Sequence, residues 1–186
     1  MPDVRVLVFG ASGSGTSTLA RGLASRMAMQ AFDTDDFYWH PTDPPFREKR
    51  RVPDRVRLME EMFLPRANWV LSGSCDGWGD VVIPRLTHAV FLTLPAGQRL
   101  ARLRARERRR YGKEIEPGGR QFEAYRGFLN YSMSYEDGDV TMRSLQRHEA
   151  WIAGLPCPVL RLDARTPLDE LVRDTMQALD PGAASS

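Results

Sequence analysis

The feature that most constrains the fold of this chain is a glycine-rich segment at residues 10–17, which reads GASGSGTS. A short apolar run at residues 4–9 precedes it, and Leu19, Leu23 and Met27 follow it at helical spacing. In a strand–turn–helix unit of this kind, glycines let successive backbone N–H groups turn inward as an anion nest, and the helix adds the positive end of its dipole. The segment therefore predicts a phosphate-binding loop in an α/β fold.

This loop matches the phosphate-loop pattern at every fixed position except one. Ser17 stands where the pattern puts a hydroxyl on Mg²⁺, whereas Thr16 stands where it has a lysine for the β- and γ-phosphates. Losing that charge-assisted hydrogen bond costs about 1.5–3 kcal/mol, which weakens the site without removing it. We therefore expect ATP and Mg²⁺ as cofactors. The predicted nucleotide contacts in the loop are Gly10, Ser12, Gly13, Ser14, Gly15, Thr16, Ser17 and Thr18.

Apolar runs and helical patterns alternate along the rest of the chain. The further predicted strands are residues 29–33, 69–71, 88–94 and 158–162. This alternation predicts a three-layer α/β fold with a five-stranded parallel sheet and helices on both faces. Ligands bind beyond the carboxyl ends of such strands, where Gly10, Asp33, Ser72 and Pro95 fall. We assign residues 1–180 to a single domain and residues 181–186 to a flexible tail.

The positive charge is concentrated and consists almost entirely of arginine. Residues 99–113 carry eight of the 26 basic residues, and the chain has only two lysines, Lys49 and Lys113. Arginine is therefore the expected source of the charge that Thr16 lacks. Arg102, Arg106 and Arg110 recur at helical spacing and share one helix face, so we predict a catalytic role for them. A solvated cationic helix and a nucleic-acid patch are the alternatives.

Residues 13–18, GSGTST, resemble the threonine-bearing phosphate loop of archaeal-type cytidylate kinases. More broadly, the chain resembles the nucleoside monophosphate kinase and shikimate kinase superfamily, and above all small bacterial adenylate-kinase-like proteins of unassigned substrate. The shared segments are DTDD at 33–36, TDPPF at 42–46, SGS at 72–74, GWGD at 77–80, RE at 106–107 and RYG at 110–112. The resemblance implies a P-loop NTPase fold, kinase activity and a small arginine-rich lid within about residues 106–121.

The resemblance also implies roles for individual residues. Asp33-Thr34-Asp35 is similar to the Asp-x-Asp of shikimate and gluconate kinases, which assigns Asp33, with Ser17, to the metal and Asp35 to the acceptor hydroxyl. The alternative for these acids is helix capping or turn formation. Arg165 lies in a segment that resembles the loop contacting the nucleotide base. The residues expected to form the acceptor site are Asp35, Asp36, Trp39 and Trp78.

These features predict an ATP-dependent phosphotransferase whose acceptor is a nucleotide, a nucleoside or a small metabolite. The alternative is a degenerate nucleotide-binding sensor without kinase turnover. A GTPase is disfavoured, because the chain contains no Asn-Lys-x-Asp base-recognition motif. No apolar stretch approaches the roughly 20 residues that span a bilayer, so we expect a cytoplasmic protein without a membrane partner. A nucleic-acid partner is disfavoured, because a lid gives the arginines the role of supplying the charge that Thr16 lacks. The oligomeric state and the acceptor are not encoded in any recognisable motif.

Overall fold

The computed structural model describes residues 3–180, so the tail predicted at 181–186 lies outside the described residues. The strands are β1 (Val4–Gly10), β2 (Ala31–Asp33), β3 (Asn68–Ser72), β4 (His88–Thr93) and β5 (Val159–Asp163). The α-helices are α1 (Thr16–Arg26), α2 (Thr34–Tyr38), α3 (Val52–Met62), α4 (Ala96–Tyr111), α5 (Phe122–Met133), α6 (Leu145–Ala153) and α7 (Leu168–Leu179). Short 3₁₀ segments cover Asp80–Arg85 and Gly112–Ile115.

Clusters of contacting residues divide the chain into two compact units. Among the described residues, the first unit, which we call the sheet unit, contains residues 3–10, Gly15–Leu92 and residues 155–180. The second, which we call the helical unit, contains Ala11–Ser14 and Thr93–Gly154. The predicted lid at 106–121 falls inside the helical unit. Both the single-domain assignment and the lid remain predictions.

The sheet unit contains five strands in the order β2-β3-β1-β4-β5. Strand β1 pairs in parallel with β3 and β4, and β2 pairs in parallel with β3. Beside β4, the Ala89 N–H donates to the Pro158 carbonyl just before β5. Helices α1 and α7 pack against each other, and α1 also contacts β1 and β3. The prediction of an α/β fold with a five-stranded parallel sheet flanked by helices is confirmed.

Residues 6–9 of β1 are completely buried, as the continuous apolar run predicts for a central strand of a parallel sheet. The strand register then aligns the carboxyl ends of β2, β3 and β1. Asp33 at the end of β2 pairs with Ser72 at the end of β3, and Ser72 pairs with Val8 near the end of β1. The sheet therefore brings the last residue of β2 beside the last residue of β3.

Strand β2 is shorter than predicted, because it begins at Ala31 and not at Met29. The Met29 N–H donates to the Ala24 carbonyl at 2.8 Å, so this residue closes the C-terminal turn of α1. Helices α2 and α6 are additions that the apolar pattern did not indicate. Ser144 is the N-cap of helix α6, and its hydroxyl accepts a hydrogen bond from the Arg147 N–H in the first turn. Among residues 3–180, no helix has the length and apolar composition that crossing a membrane requires.

Candidate active site

The phosphate loop leaves the first turn of α1 uncapped by any side chain. Gly15 is the N-cap residue, with φ at +103°, and it makes no side-chain hydrogen bond to the helix. Within the described chain, the backbone N–H groups of Thr16 and Ser17 donate to no protein acceptor. Four N–H groups at a helix start need outside partners, and an anion supplies them well. The backbone at Gly15, Thr16 and Ser17 therefore has the chemistry that the sequence predicted for phosphate binding.

Beside this turn, in the sheet unit, lies a group that we call the Asp33 cluster, consisting of Ser17, Asp33 and Ser72. The Ser17 hydroxyl donates to Asp33 Oδ2 at 2.6 Å, and the Ser72 hydroxyl donates to the same oxygen at 2.9 Å. The other carboxylate oxygen accepts the Asp35 N–H at 3.1 Å and caps α2. Asp33 thus combines the predicted placement beside Ser17 with the capping role that was its alternative.

Ser72 is a member of this cluster that the sequence assignment missed. It occupies the end of β3, and its signal was the strand-end position alone. The residue after it, Gly73, has φ at +100°, and a Cβ there would lie 2.0 Å from the Thr34 hydroxyl oxygen. Only glycine fits this turn, which follows Ser72 directly, while the register of β2 and β3 pairs Ser72 with Asp33.

Asp35 and Asp36 are both exposed on α2, one and two residues beyond its start. Desolvation, followed by the negative charge of Asp33, raises the pKa of Asp36 above its ordinary value. No group of three or more histidine, cysteine, aspartate or glutamate side chains within residues 3–180 is arranged to hold a metal ion.

The predicted acceptor residues Trp39 and Trp78 both contact Tyr38, with ring-centroid distances of 4.9 and 5.4 Å. Two cations that the sequence assignment missed join them. The Arg55 guanidinium lies 3.7 Å from the Tyr38 ring centroid and 5.2 Å from that of Trp78. The Lys49 ammonium lies 5.8 Å from both the Tyr38 and the Trp39 centroids. We call these five side chains the aromatic–cation cluster. Nothing in the local sequence of α3 distinguishes Arg55 from Arg57, the other arginine of the helix.

In the helical unit, α4 contacts the loop segment Ala11–Ser14. Arg102 donates to the Ser14 carbonyl at 3.3 Å, so one predicted catalytic arginine reaches the phosphate loop. The other two have different partners. Arg106 donates to Glu107 at 2.9 Å and lies 5.6 Å from the Phe128 ring centroid, and the Arg110 guanidinium lies 5.9 Å from the Tyr111 ring centroid.

Arg165 lies beyond β5 in the sheet unit, as predicted. Its Nε donates to Asp163 Oδ2 at 2.8 Å, and most of its side chain is exposed. This ion pair raises the pKa of Arg165 and lowers that of Asp163, chiefly through the side-chain hydrogen bond. Its guanidinium is therefore held within this loop while remaining accessible to solvent, and its predicted contact with a nucleotide base remains a prediction.

Comparisons with known proteins show the family to which this chain belongs. A family model described as an AAA domain matches residues 6–125, which is more than half of the chain. The chain belongs to this family. A Bacillus subtilis (strain 168) relative, the uncharacterized protein YqaC, is 39% identical over 165 residues, covering 89% of this chain and 91% of that protein.

The solved structures most relevant to the fold are kinases. Shikimate kinase from Aquifex aeolicus vf5 has a TM-score of 0.53 and 14% identity, covering 98% of this chain and 100% of that chain. Shikimate kinase from Acinetobacter baumannii in complex with shikimate has a TM-score of 0.54 and 13% identity, covering 95% of this chain and 92% of that chain. A sugar kinase from Janibacter sp. HTCC2649 has a TM-score of 0.50 and 20% identity, covering 98% of both chains. The fold is that of the P-loop nucleotide-kinase-like superfamily.

Proposed function

We propose that this protein is an ATP-dependent phosphotransferase that moves the γ-phosphoryl group of Mg·ATP to the hydroxyl or phosphate of a small acceptor. The observation that carries the proposal is the 2.6 Å hydrogen bond from Ser17 to Asp33, which joins the first turn of α1 to the end of β2. Capping of α2 uses the other carboxylate oxygen of Asp33, so it does not account for the contact of Oδ2 with Ser17. A phosphoryl-transfer site needs a carboxylate in this position, because its metal is held between a loop hydroxyl and a carboxylate.

The donor set suits magnesium. Mg²⁺ prefers hard oxygen ligands and is usually held by one or two protein oxygens together with phosphates and water. Ser17 and Asp33 offer a hydroxyl and a carboxylate oxygen in contact with each other, and Ser72 supports the same carboxylate oxygen at 2.9 Å. A Mg²⁺ ion bound there would neutralise charge on the β- and γ-phosphate oxygens. Ser17 and Asp33 would hold it, and Ser72 would orient Asp33.

The remaining residues have roles in binding and proton transfer. The uncapped N–H groups of the loop bind the phosphates, and Arg102, Arg106 and Arg110 supply positive charge that Thr16 lacks. The exposed carboxylate of Asp35, two residues after Asp33, accepts the proton of an acceptor hydroxyl. The acceptor lies against the aromatic–cation cluster and Asp36. Arg165 contacts the base of the nucleotide.

The first test is ADP release from Mg·ATP by the purified protein, with and without pools of nucleotides, nucleosides and sugar acids. We expect one pool to stimulate release, and the Ser17→Ala protein to lose the stimulated part because the metal loses a ligand. Mass spectrometry of the stimulated mixture then identifies the phosphorylated acceptor. If nucleotide binds and no pool stimulates release, the sensor becomes the better description, since Thr16 already removes one transition-state charge.

Thr16→Lys should tighten Mg·ATP binding by about tenfold to two-hundredfold, because it restores one charge-assisted hydrogen bond worth about 1.5–3 kcal/mol. Isothermal titration calorimetry with a non-hydrolysable ATP analogue measures the change. Thr141→Lys is the matched control, since it adds the same charge to an exposed turn between α5 and α6. Equal affinities in all three proteins would contradict the assignment of Thr16 to the lysine position.

A further inference from the structure

Arg99, on the first turns of α4, is a fully buried charged residue outside the site that the sequence predicted. Its guanidinium donates twice to the Glu136 carboxylate, at 2.5 and 2.7 Å, and once to the Ser12 carbonyl, at 3.1 Å. A longer contact of 3.4 Å reaches the Ser132 carbonyl. Arg99 therefore connects the phosphate loop to the end of α5, entirely within the helical unit.

The loop backbone also packs tightly on α4 next to this contact. A Cβ at Gly13 would lie 2.8 Å from the Arg99 carbonyl oxygen and 2.9 Å from the Leu103 side chain. Arg102 adds a second guanidinium contact, at the Ser14 carbonyl. The Ser12 and Ser14 carbonyls, on either side of Gly13, thus accept hydrogen bonds from two arginines of α4. Gly13 itself packs closely against the same helix.

The residue before Glu136, Tyr135, is buried. The Tyr135 ring centroid lies 5.2 Å from the Arg99 guanidinium, and the Tyr135 hydroxyl is 2.7 Å from His148 Nδ1 on α6. Both rings are buried, with His148 completely so. The carboxylate that orients Arg99 therefore stands on a turn fixed by packing and by a hydrogen bond.

Filling space does not account for a charge at this position. Burying an ion pair costs free energy because both charges leave water. Apolar residues of similar volume often give the same or a higher free energy of unfolding. An apolar residue at position 99 could not donate a hydrogen bond to the Ser12 carbonyl, as Arg99 does. A fixed Ser12 carbonyl in turn limits the orientation of the peptide that carries the Gly13 N–H.

We propose that Arg99, oriented by Glu136, is a positioning residue that clamps the segment Ala11–Ser14 in its nucleotide-binding conformation. The expected consequence of the clamp is tighter nucleotide binding, and this part of the inference rests on the proposed function. In a loop that has Thr16 in place of lysine, Arg99 and Arg102 brace the backbone from outside the loop. The Arg99 side chain is completely buried and donates to Ser12 and Glu136, so we infer that it acts on binding through the shape of the loop.

The test is the double variant Arg99→Met/Glu136→Gln, which removes both charges together and keeps the aliphatic volume. Because no buried charge is left unpaired, we expect a cooperative melt close to that of the parent. Hydrogen–deuterium exchange without nucleotide should become about tenfold faster in peptides covering residues 11–14, while peptides from β1 and β3 stay unchanged. The Kd for Mg·ATP should rise by about tenfold, as for the loss of one charge-assisted hydrogen bond.

Arg126→Met/Glu123→Gln is the matched control, because it removes an exposed ion pair of 3.6 Å from α5 of the same unit. We expect it to change neither quantity. Arg99→Lys retains the positive charge and N–H donors but lacks the planar guanidinium, and compared with the double variant it should restore part of the exchange protection. A folded double variant with parental exchange at residues 11–14 would overturn the clamp.

The exchange and binding measurements separate the two proposals. Exchange is measured without nucleotide, so faster exchange at 11–14 supports the clamp even if the parent protein fails to bind Mg·ATP. Failure of the parent to bind would overturn the proposed function. Faster loop exchange with an unchanged Kd would overturn the consequence for binding.

Discussion

Replacing Asp35 by asparagine is expected to lower acceptor-dependent turnover by about 10²- to 10⁴-fold, the usual contribution of a general base. The amide keeps the size of the side chain and cannot accept the acceptor's proton. Because Asp33 and Ser17 are untouched, the Kd for Mg·ATP should stay within about twofold of the parent. Steady-state kinetics with the stimulating acceptor, together with calorimetry of nucleotide binding, give the two numbers.

Asp174→Asn provides the matched control, since Asp174 is an exposed aspartate in the middle of α7. We expect its turnover to equal that of the parent. An Asp35→Asn protein that turns over at the parental rate would show that another group takes the proton. If turnover and nucleotide affinity fell together, Asp35 would belong to the metal and nucleotide site instead of the acceptor site.

Gly13→Ala is expected to cause the second large effect, a loss of nucleotide affinity of tenfold or more together with a lower melting temperature. Gly13 has φ at +85°, a conformation that costs a non-glycine residue about 1–3 kcal/mol. The added methyl group would also lie 2.8 Å from the Arg99 carbonyl oxygen, so the loop must move away from α4. Thermal denaturation and calorimetry measure the two consequences.

Gly97→Ala makes the same chemical change on α4, the helix that Gly13 contacts, and serves as the control. Nothing lies within 4 Å of a Cβ at Gly97. Alanine is favoured over glycine in a helix by about 1 kcal/mol, so this variant should melt slightly above the parent and bind nucleotide normally. If Gly13→Ala and Gly97→Ala had the same melting temperature and the same nucleotide affinity, the close packing of the loop on α4 would not matter for nucleotide binding.

Periodicity predicted the major elements of the sheet unit well, for a local reason. The apolar run of β1 is buried on both sides, and a strand of that kind leaves a continuous signature in the sequence. Helix α2 left no such signature, because it has only five residues and begins at the Asp33 cap. Helix α6 was missed although Ser144 caps it, since a single capping serine also occurs in turns.

The candidate site divides in the same way. Ser17 and Asp33 were predicted to share the metal, and the structure brings their side chains to 2.6 Å. Arg55 and Ser72 were not assigned, because each depends on a partner distant in sequence: the Tyr38 ring for Arg55, and Asp33 for Ser72. Side-chain contacts between elements depend on strand register and on packing. Neither can be predicted from the spacing of residues along the sequence.

The arginine segment shows most clearly where the sequence stops being informative. Helical spacing identified Arg102, and the structure places its guanidinium at the Ser14 carbonyl. The same spacing gave no indication that Arg99 is buried and paired with Glu136, which lies 37 residues further along the chain. A helix pattern shows which residues share a face, but not which neighbouring element covers that face.

The sequence by itself determined the phosphate loop, the parallel α/β sheet and the strand ends at which polar residues collect. These follow from glycine conformation and from apolar periodicity, both of which are properties of neighbouring residues. Only the tertiary structure decided that Ser72 supports Asp33, that Arg55 lies on Tyr38 and that Arg99 holds the phosphate loop. Each of these is a contact between distant segments, and its geometry is set by how the buried faces of the elements pack.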